Sequence, residues 1–370
     1  MNVKMEIPFF NYPALFSQHR NEYMSIIQDV LERGAYIMQK DLFEFETKLA
    51  EYLGVKHAIG VADGTMALLL SLRSIGLNQG DEVIVPSHTF VASAAAIHHA
   101  GARPVLADCG TDHLIDPVSI KNKITKRTKV IMPVQLNGRT AKMDEIEKIA
   151  HDNNLVIIED SCQALGSKYK GKYAGTFGKA GTFSFFPAKT LGCFGDGGAV
   201  VTDSDDVANN VRLLRDHGRD ENGEVVTWGY NARLDNLQAA ILKFKLSFYD
   251  EEISIRRELA QRYDKNLRDI AQITLPPVPD DSDHFDIFQN YEIEAEQRDD
   301  LREYLRKNGI GTIMQWGGKT IHQFEKLDLV SESLEYTHKM TSRFLMLPLH
   351  TALRHSEIDY ICSKIREFYR

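Results

Sequence analysis

Gly181-Thr-Phe-Ser-Phe-Phe-Pro-Ala-Lys-Thr-Leu-Gly-Cys-Phe-Gly-Asp-Gly-Gly-Ala-Val200 places one lysine, Lys189, between an aromatic β-like run and a loop dense in glycine. Upstream, Ile158-Glu159-Asp160-Ser161-Cys162-Gln163 reads as a buried strand that ends in acids. Outward from these two segments, short apolar runs at 57–62, 82–86, 103–107, 129–134, 155–159, 181–186 and 199–202 are bounded by Gly, Pro or Asp and read as buried strands. Helical patterns fill 65–74, 92–100, 143–152 and 207–217. This β-α alternation predicts an α/β fold, a mainly parallel seven-stranded sheet covered on both faces, with ligands at the carboxyl ends of the strands. His88, Asp160 and Lys189 all fall at or just beyond such ends.

An amine on a tight loop and a carboxylate at the end of a buried strand together suit a pyridoxal ring. The lysine would condense with the aldehyde, and the aspartate would face the pyridinium nitrogen. Taken singly, each residue has a plainer reading: Lys189 as a solvated loop lysine, Asp160 as a helix N-cap. Gly64-Thr65 opens a helix, so its free N–H groups and the positive end of the dipole suit a phosphate dianion, although a simple capping turn has the same appearance. Ser184 would add a hydroxyl to that phosphate.

Five ordered motifs carry a family resemblance over nearly the whole chain. Phe183-Ser184-Phe185-Phe186-Pro187-Ala188-Lys189-Thr190-Leu191-Gly192, with Gly195-Asp196-Gly197-Gly198-Ala199 after it, resembles the lysine segment of the DegT/DnrJ/StrS pyridoxal-phosphate sugar aminotransferases. Asp63-Gly64-Thr65-Met66-Ala67-Leu68 is similar to the family's N-G-T-x-A-L phosphate turn, and Pro86-Ser87-His88-Thr89-Phe90-Val91-Ala92 to its ring-stacking segment. Glu159-Asp160-Ser161-Cys162-Gln163 matches E-D-x-x-Q, and Gly229-Tyr230-Asn231-Ala232-Arg233 matches G-x-N-x-R.

The resemblance implies fold type I, the aspartate-aminotransferase-like fold of pyridoxal 5'-phosphate transferases. It implies that Phe90 stacks on the ring, with His88 as the nearby alternative, and that Gln163 bonds the phenolic oxygen. It further implies that Asn231 reaches the phosphate of a neighbouring subunit, hence a homodimer with shared sites. Lys189 would also move the proton between substrate and cofactor carbons. Relatives that dehydrate deoxysugars carry histidine in its place; this chain keeps lysine.

Two segments depart from the family pattern. Gln135 and Asn137 stand where many relatives carry His and an aromatic, and are expected to meet a sugar's hydroxyls. Met314-Gln-Trp-Gly-Gly-Lys-Thr-Ile-His-Gln323 replaces a loop of the H-Y-P-x-P-L-H type. On it, His322, Lys319 and Trp316 are expected beside a nucleotide sugar. The glycine loop after Lys189 is closer to members that aminate 3-keto sugars than to those acting on 4-keto sugars.

Composition places limits on function. With 370 residues, 43% hydrophobic and 26% charged, the chain can build two domains with ample core. A formal charge of −8 and the lack of a basic stripe argue against a nucleic-acid partner. Four cysteines without C-x-x-C spacing indicate neither zinc nor a disulfide framework, and no metal is expected. The N-terminal residues lack a signal-peptide pattern, and no apolar run reaches the length of a membrane span, so the expected place is the cytoplasm.

Near residue 245 the pattern changes. A long charged helix over 242–268, the Pro/Asp-rich loop 275–284, a strand at 290–294 and helices at 298–308 and around Ile358, Ile361, Ile365 and Phe368 predict a smaller α+β domain. The expected division is 1–245 and 246–370. The expected activity is transfer of an amino group from L-glutamate to a nucleotide-linked keto sugar, in polysaccharide or glycoconjugate biosynthesis. The alternatives are an aminotransferase for an inosose-like cyclic ketone, a deoxysugar dehydratase, and a cofactor-binding sensor without turnover.

Overall fold

In chain order, the strands of the first part are β1 (His57–Val61), β2 (Glu82–Pro86), β3 (Arg103–Ala107), β4 (Thr128–Ile131), β5 (Val156–Asp160), β6 (Lys168–Tyr169), β7 (Lys172–Tyr173), β8 (Ala180–Ser184) and β9 (Gly198–Thr202). They come from a computed structural model that describes residues 6–278, 283–329 and 332–370. Residues 1–5, at the start of the N-terminal reading, and 279–282, within the Pro/Asp-rich loop, lie outside the described residues.

Seven of these strands form one sheet in the order β1-β9-β8-β5-β4-β2-β3. All neighbours run parallel except β9, which is antiparallel to both β1 and β8. Every residue of β2 and β9 is buried, as strands covered on both faces must be. In β9, Val200 packs into one apolar cluster while Ala199 and Val201 pack into another, alternate residues serving opposite faces. The helix Met143–Asp152 shows how a cover is built. Met143, Ile146, Ile149 and Ala150 form its buried stripe, and Asp144 and Glu145 sit at the positive end of its dipole.

Four further strands follow: β10 (Ile273–Thr274), β11 (His284–Phe285), β12 (Tyr291–Ala295) and β13 (Phe344–Leu347). β10, β12 and β13 form an antiparallel sheet, while β11 joins the β6–β7 hairpin. A third apolar cluster gathers Leu259, Tyr263 and Leu267 with Ile293, Leu345, Ile358, Ile361 and Ile365. Ile7, far away in sequence, joins this cluster and bridges to Ile310.

The single helix expected over 242–268 is two helices, Asn236–Leu246 and Tyr249–Leu267. At the break, Ser247 Oγ donates to the Phe244 carbonyl at 2.6 Å, and the Phe248 ring stacks on His19 with centroids 4.5 Å apart. Just beyond it, the buried Tyr249 hydroxyl donates to the Leu165 carbonyl at 2.7 Å. A local side-chain bond and two tertiary anchors outweigh a helical pattern that continues through the break.

Candidate active site

The carboxyl ends of β1, β5 and β8 open on one cavity of about 500 Å³, and Gly64, Thr65, Phe90, Asp160, Gln163, Ser184, Lys189 and Trp316 all line it. The helix Gly64–Ser74 begins at this cavity. Asp63 caps it by accepting from Met66 N at 2.8 Å, which leaves the amides of Gly64 and Thr65 without a helical acceptor. A Cβ on Gly64 would stand 2.7 Å from Ser184 Cβ and 3.1 Å from Cys162 Sγ. Glycine is therefore what allows the turn to lie against Ser184. Gly198 serves the same closure, since a Cβ there would reach 2.4 Å from the Asp63 carbonyl group.

Asp160 ends β5 with both carboxylate oxygens engaged: Ser93 Oγ donates to Oδ2 at 2.7 Å and Cys162 N to Oδ1 at 3.2 Å. Ser93 is in turn linked to Thr89 Oγ1 at 2.8 Å. No helix starts at Asp160, so the capping role does not apply. Burial pushes the Lys189 amine below the ordinary lysine range, against the attraction of the Cys162 and Asp160 positions. Burial also pushes the Cys162 thiol well up, and the Asp160 charge adds to this, so the thiol keeps its proton. Gln163 Oε1 accepts from Asn137 N at 2.9 Å and from Asn290 Nδ2 at 3.3 Å, leaving the donor end of its amide for a ligand.

Phe90 is 51% exposed and turns its ring to the cavity, 6.3 Å from the Trp316 ring. His88 is buried instead against Glu292 and the Trp316 ring, so it cannot be the stacking residue. Gln135 is corrected as well. It lies fully buried behind β5, donating to Glu159 at 2.8 Å and accepting from Ala141 N at 2.7 Å, with no atom left for a sugar. Asn137, in a left-handed conformation with φ 56°, is tied to Glu292, Asn290 and Gln315 rather than turned to a ligand.

His322 Nδ1 is 2.7 Å from Ser87 Oγ and 2.9 Å from Thr320 Oγ1, outside the cavity wall. Burial, reinforced by His338, lowers its pKa to about 4, so the ring is neutral. Lys319 is exposed on the same loop and Asn231 is exposed at the end of the segment after residue 217; neither lines the cavity. Sequence reasoning missed Ser93, which holds Asp160 from 67 residues away. Its only signal was a second hydroxyl four residues after Thr89, one helical turn on. It also missed Gln289 and Asn290, a polar pair immediately before β12, whose own sequence is Tyr-Glu-Ile-Glu-Ala.

The model of the DegT/DnrJ/EryC1/StrS aminotransferase family matches residues 17–366. The chain belongs to this family. A pleiotropic regulatory protein of Geobacillus stearothermophilus is 35% identical over 370 residues, covering 99% of each chain. A dTDP-3-amino-3,4,6-trideoxy-alpha-D-glucose transaminase of Streptomyces venezuelae is 39% identical over 311 residues, covering 84% of this chain and 82% of the relative. Among solved structures, S. venezuelae DesV, in complex with a ketimine intermediate, superposes with a TM-score of 0.95 at 36% identity over 99% of both chains.

The protein is thus an aminotransferase of the DegT/DnrJ/EryC1/StrS family, with the family's fold, and its cofactor is pyridoxal phosphate. The cavity suits that cofactor on its own terms. It offers a helix N-terminus that only glycine lets approach Ser184, a hydrogen-bonded carboxylate, a half-exposed aromatic face and an amine whose charge burial disfavours. No helix among the described residues is long and apolar enough to cross a membrane.

Proposed function

We propose that this aminotransferase moves an amino group from L-glutamate to a keto group of a nucleotide-linked sugar, 3-keto in preference to 4-keto. The product would serve surface polysaccharide or glycoconjugate biosynthesis in the cytoplasm. The observation that carries the reading is the single cavity in which Lys189 and Asp160 meet Trp316 from the small-domain loop. Support for the sugar comes from the 39%-identical Streptomyces venezuelae relative, a dTDP-3-amino-3,4,6-trideoxy-alpha-D-glucose transaminase.

When bound, pyridoxal phosphate supplies an aldehyde that exchanges for an amine and a ring that accepts electrons. Gly64, Thr65 and Ser184 would hold its phosphate, Phe90 its ring face and Gln163 its phenolic oxygen. Asp160, kept in place by Ser93, would hold a proton on the ring nitrogen. Lys189 would take and return the proton at the reacting carbon, a task its lowered pKa favours at moderate pH. Trp316 offers a flat face to a base or sugar, and Lys319 and His322 are proposed as further neighbours of the nucleotide sugar.

We further propose a homodimer in which Asn231 completes the partner's phosphate site, with residues 1–245 as the cofactor domain and 246–370 as the small domain. The segment leading to Asn231 leaves Val225 and Val226 in solvent and Trp228 92% exposed, an apolar surface suited to a second subunit. The test offers 3-keto and 4-keto isomers of one dTDP- or UDP-hexose side by side with glutamate and weighs the products. Faster amination of the 3-keto isomer is expected; preference for the 4-keto isomer would refute the regiochemistry.

A further inference from the structure

Lys189 lies in a loop whose backbone is gripped by a side chain 100 residues away. Thr190 N donates to Gln289 Oε1 at 2.7 Å, and Gln289 Nε2 donates to the Ala188 carbonyl at 2.7 Å. One amide thereby satisfies the carbonyl before Lys189 and the N–H after it, while the Lys189 N–H itself donates to the Phe186 carbonyl at 2.8 Å. Gln289 is only 5% exposed, so water cannot easily replace either bond. The loop is held elsewhere by Lys245 Nζ on the Gly192 carbonyl at 2.6 Å and by Tyr249 on Thr190 Oγ1 at 2.6 Å. Neither of these touches the peptides that flank the lysine.

The approach of Gln289 is itself specified. Phe288 has φ 51°, and a Cβ on Gly138 would stand 2.6 Å from Gln289 N and 2.8 Å from Phe288 N. The next side chain, Asn290, reaches Asn137 Oδ1 at 2.9 Å and Gln163 Oε1 at 3.3 Å. Two consecutive residues at the entry to β12 therefore reach two different groups of the cavity wall, the lysine loop and Gln163.

We propose that Gln289 is a positioning residue for Lys189, fixing the backbone from which the lysine must repeatedly reach and release the reacting carbon. This rests on the role proposed above for Lys189. A lysine that changes partners in each cycle keeps its side chain mobile, so its precision must come from the peptide groups that carry it. Removing the amide leaves one buried donor and one buried acceptor unpaired beside the reactive residue.

The test uses the full-length protein loaded with pyridoxal phosphate, in three forms: unaltered, Gln289→Ala and Gln289→Glu. The pH midpoint of the visible absorbance band, the rate of the single-turnover reaction with L-glutamate and circular dichroism are measured on each. Gln289→Ala is expected to move the midpoint by about half a pH unit or more and to slow the glutamate reaction roughly tenfold or more, with native circular dichroism. Gln289→Glu is expected to approach the unaltered protein at low pH, where a protonated carboxyl can both donate and accept, and to depart from it as pH rises, because the carboxylate still accepts from Thr190 N but no longer donates to the Ala188 carbonyl.

Unchanged midpoint and rate in Gln289→Ala would overturn the proposal. Loss of native circular dichroism in both variants would overturn it too, because Gln289 would then hold the fold rather than the lysine. If the unaltered protein shows no visible band with the cofactor, the role of Lys189 fails and this inference with it. Unchanged variants of a protein that does show the band would sink the Gln289 role alone.

Discussion

Lys189 and Asp160 line one cavity from two strand ends of the same sheet, and each is held by neighbours that have no chemistry of their own. Lys189→Ala should lower amino transfer by roughly 10²–10⁴-fold or more, the range for a lost general acid–base group, while the apoprotein keeps its fold. Asp160→Asn keeps the size and removes the charge, so transfer should fall by about two orders of magnitude or more, with cofactor binding weakened less. Glutamate-dependent single turnovers and a cofactor titration on each variant would check both. Wild-type turnover by Lys189→Ala would end the assignment.

Lys189 and Asp160 were legible as candidates because they occur together, within ordered motifs, at or just beyond strand ends; singly, neither stands out. Ser93 and Gln289 were not, because their partners lie 67 and about 100 residues away and ordinary Ser and Gln carry no mark of it. Gln135 misled for the same reason: its polarity serves the buried Glu159, a relation visible only in three dimensions.

The elements that build the site were read more easily, since strands buried on both faces write themselves as short apolar runs. The break at Ser247–Phe248 was hidden because the residues on either side keep a helical pattern, and a local side-chain bond with two tertiary anchors stops the helix there. At this scale the turn at Gly64 gives the sharpest test. Its added methyl would meet Ser184 at 2.7 Å and narrow the phosphate cradle, so Gly64→Ala should weaken pyridoxal phosphate binding by about tenfold or more. Because Ser184 and Cys162 are side-chain neighbours that can shift a little, thermal unfolding of the apoprotein should change by only about 1–3 kcal/mol. Unaltered cofactor affinity in a folded Gly64→Ala protein would move the phosphate elsewhere.

Across the molecule, a buried polar network joins the loop after β3 to β12. His113 lies 2.7 Å from Glu292 and 3.3 Å from Glu294, and Glu292 also accepts from Asn137 and Gln315. His88 Nε2 lies 3.3 Å from the same Glu292 oxygen, so two imidazoles converge on one buried carboxylate. Burial opposes charge on His113, but its two carboxylate partners prevail and raise its pKa to about 9 from 6.5. A raised base stabilises the fold fully below its unfolded value and loses that stabilisation as pH climbs through the folded value. Against burial, its histidine partners hold the Glu292 carboxyl well below its ordinary 4.5, so its contribution is complete above that value and is lost progressively as the pH falls from there into strong acid.

Stability should therefore decline between about pH 6.5 and 9, by at most about 1.4 kcal/mol per unit. His113→Gln should flatten that decline in denaturant titrations; an equal slope in both proteins would remove the coupling. At the same scale, mixed dimers of Lys189→Ala and Asn231→Ala should recover activity that neither homodimer has, since one site would carry neither lesion. No recovery in proven heterodimers would return Asn231 to its own subunit. The packing of Ile7 against Ile310 and the cluster around β12 and β13, like these pairings, was out of reach of sequence patterns because it depends on contacts some 300 residues apart.

The most direct measurement converts the loaded protein to its amine form with L-glutamate, removes the donor, and then adds single keto compounds while visible absorbance is followed. A nucleotide-linked keto sugar should restore the band and appear by mass as the corresponding amino sugar, and the Lys189→Ala protein should do neither. Restoration by an inosose-like ketone and by no sugar nucleotide, or amination that survives Lys189→Ala, would contradict the account.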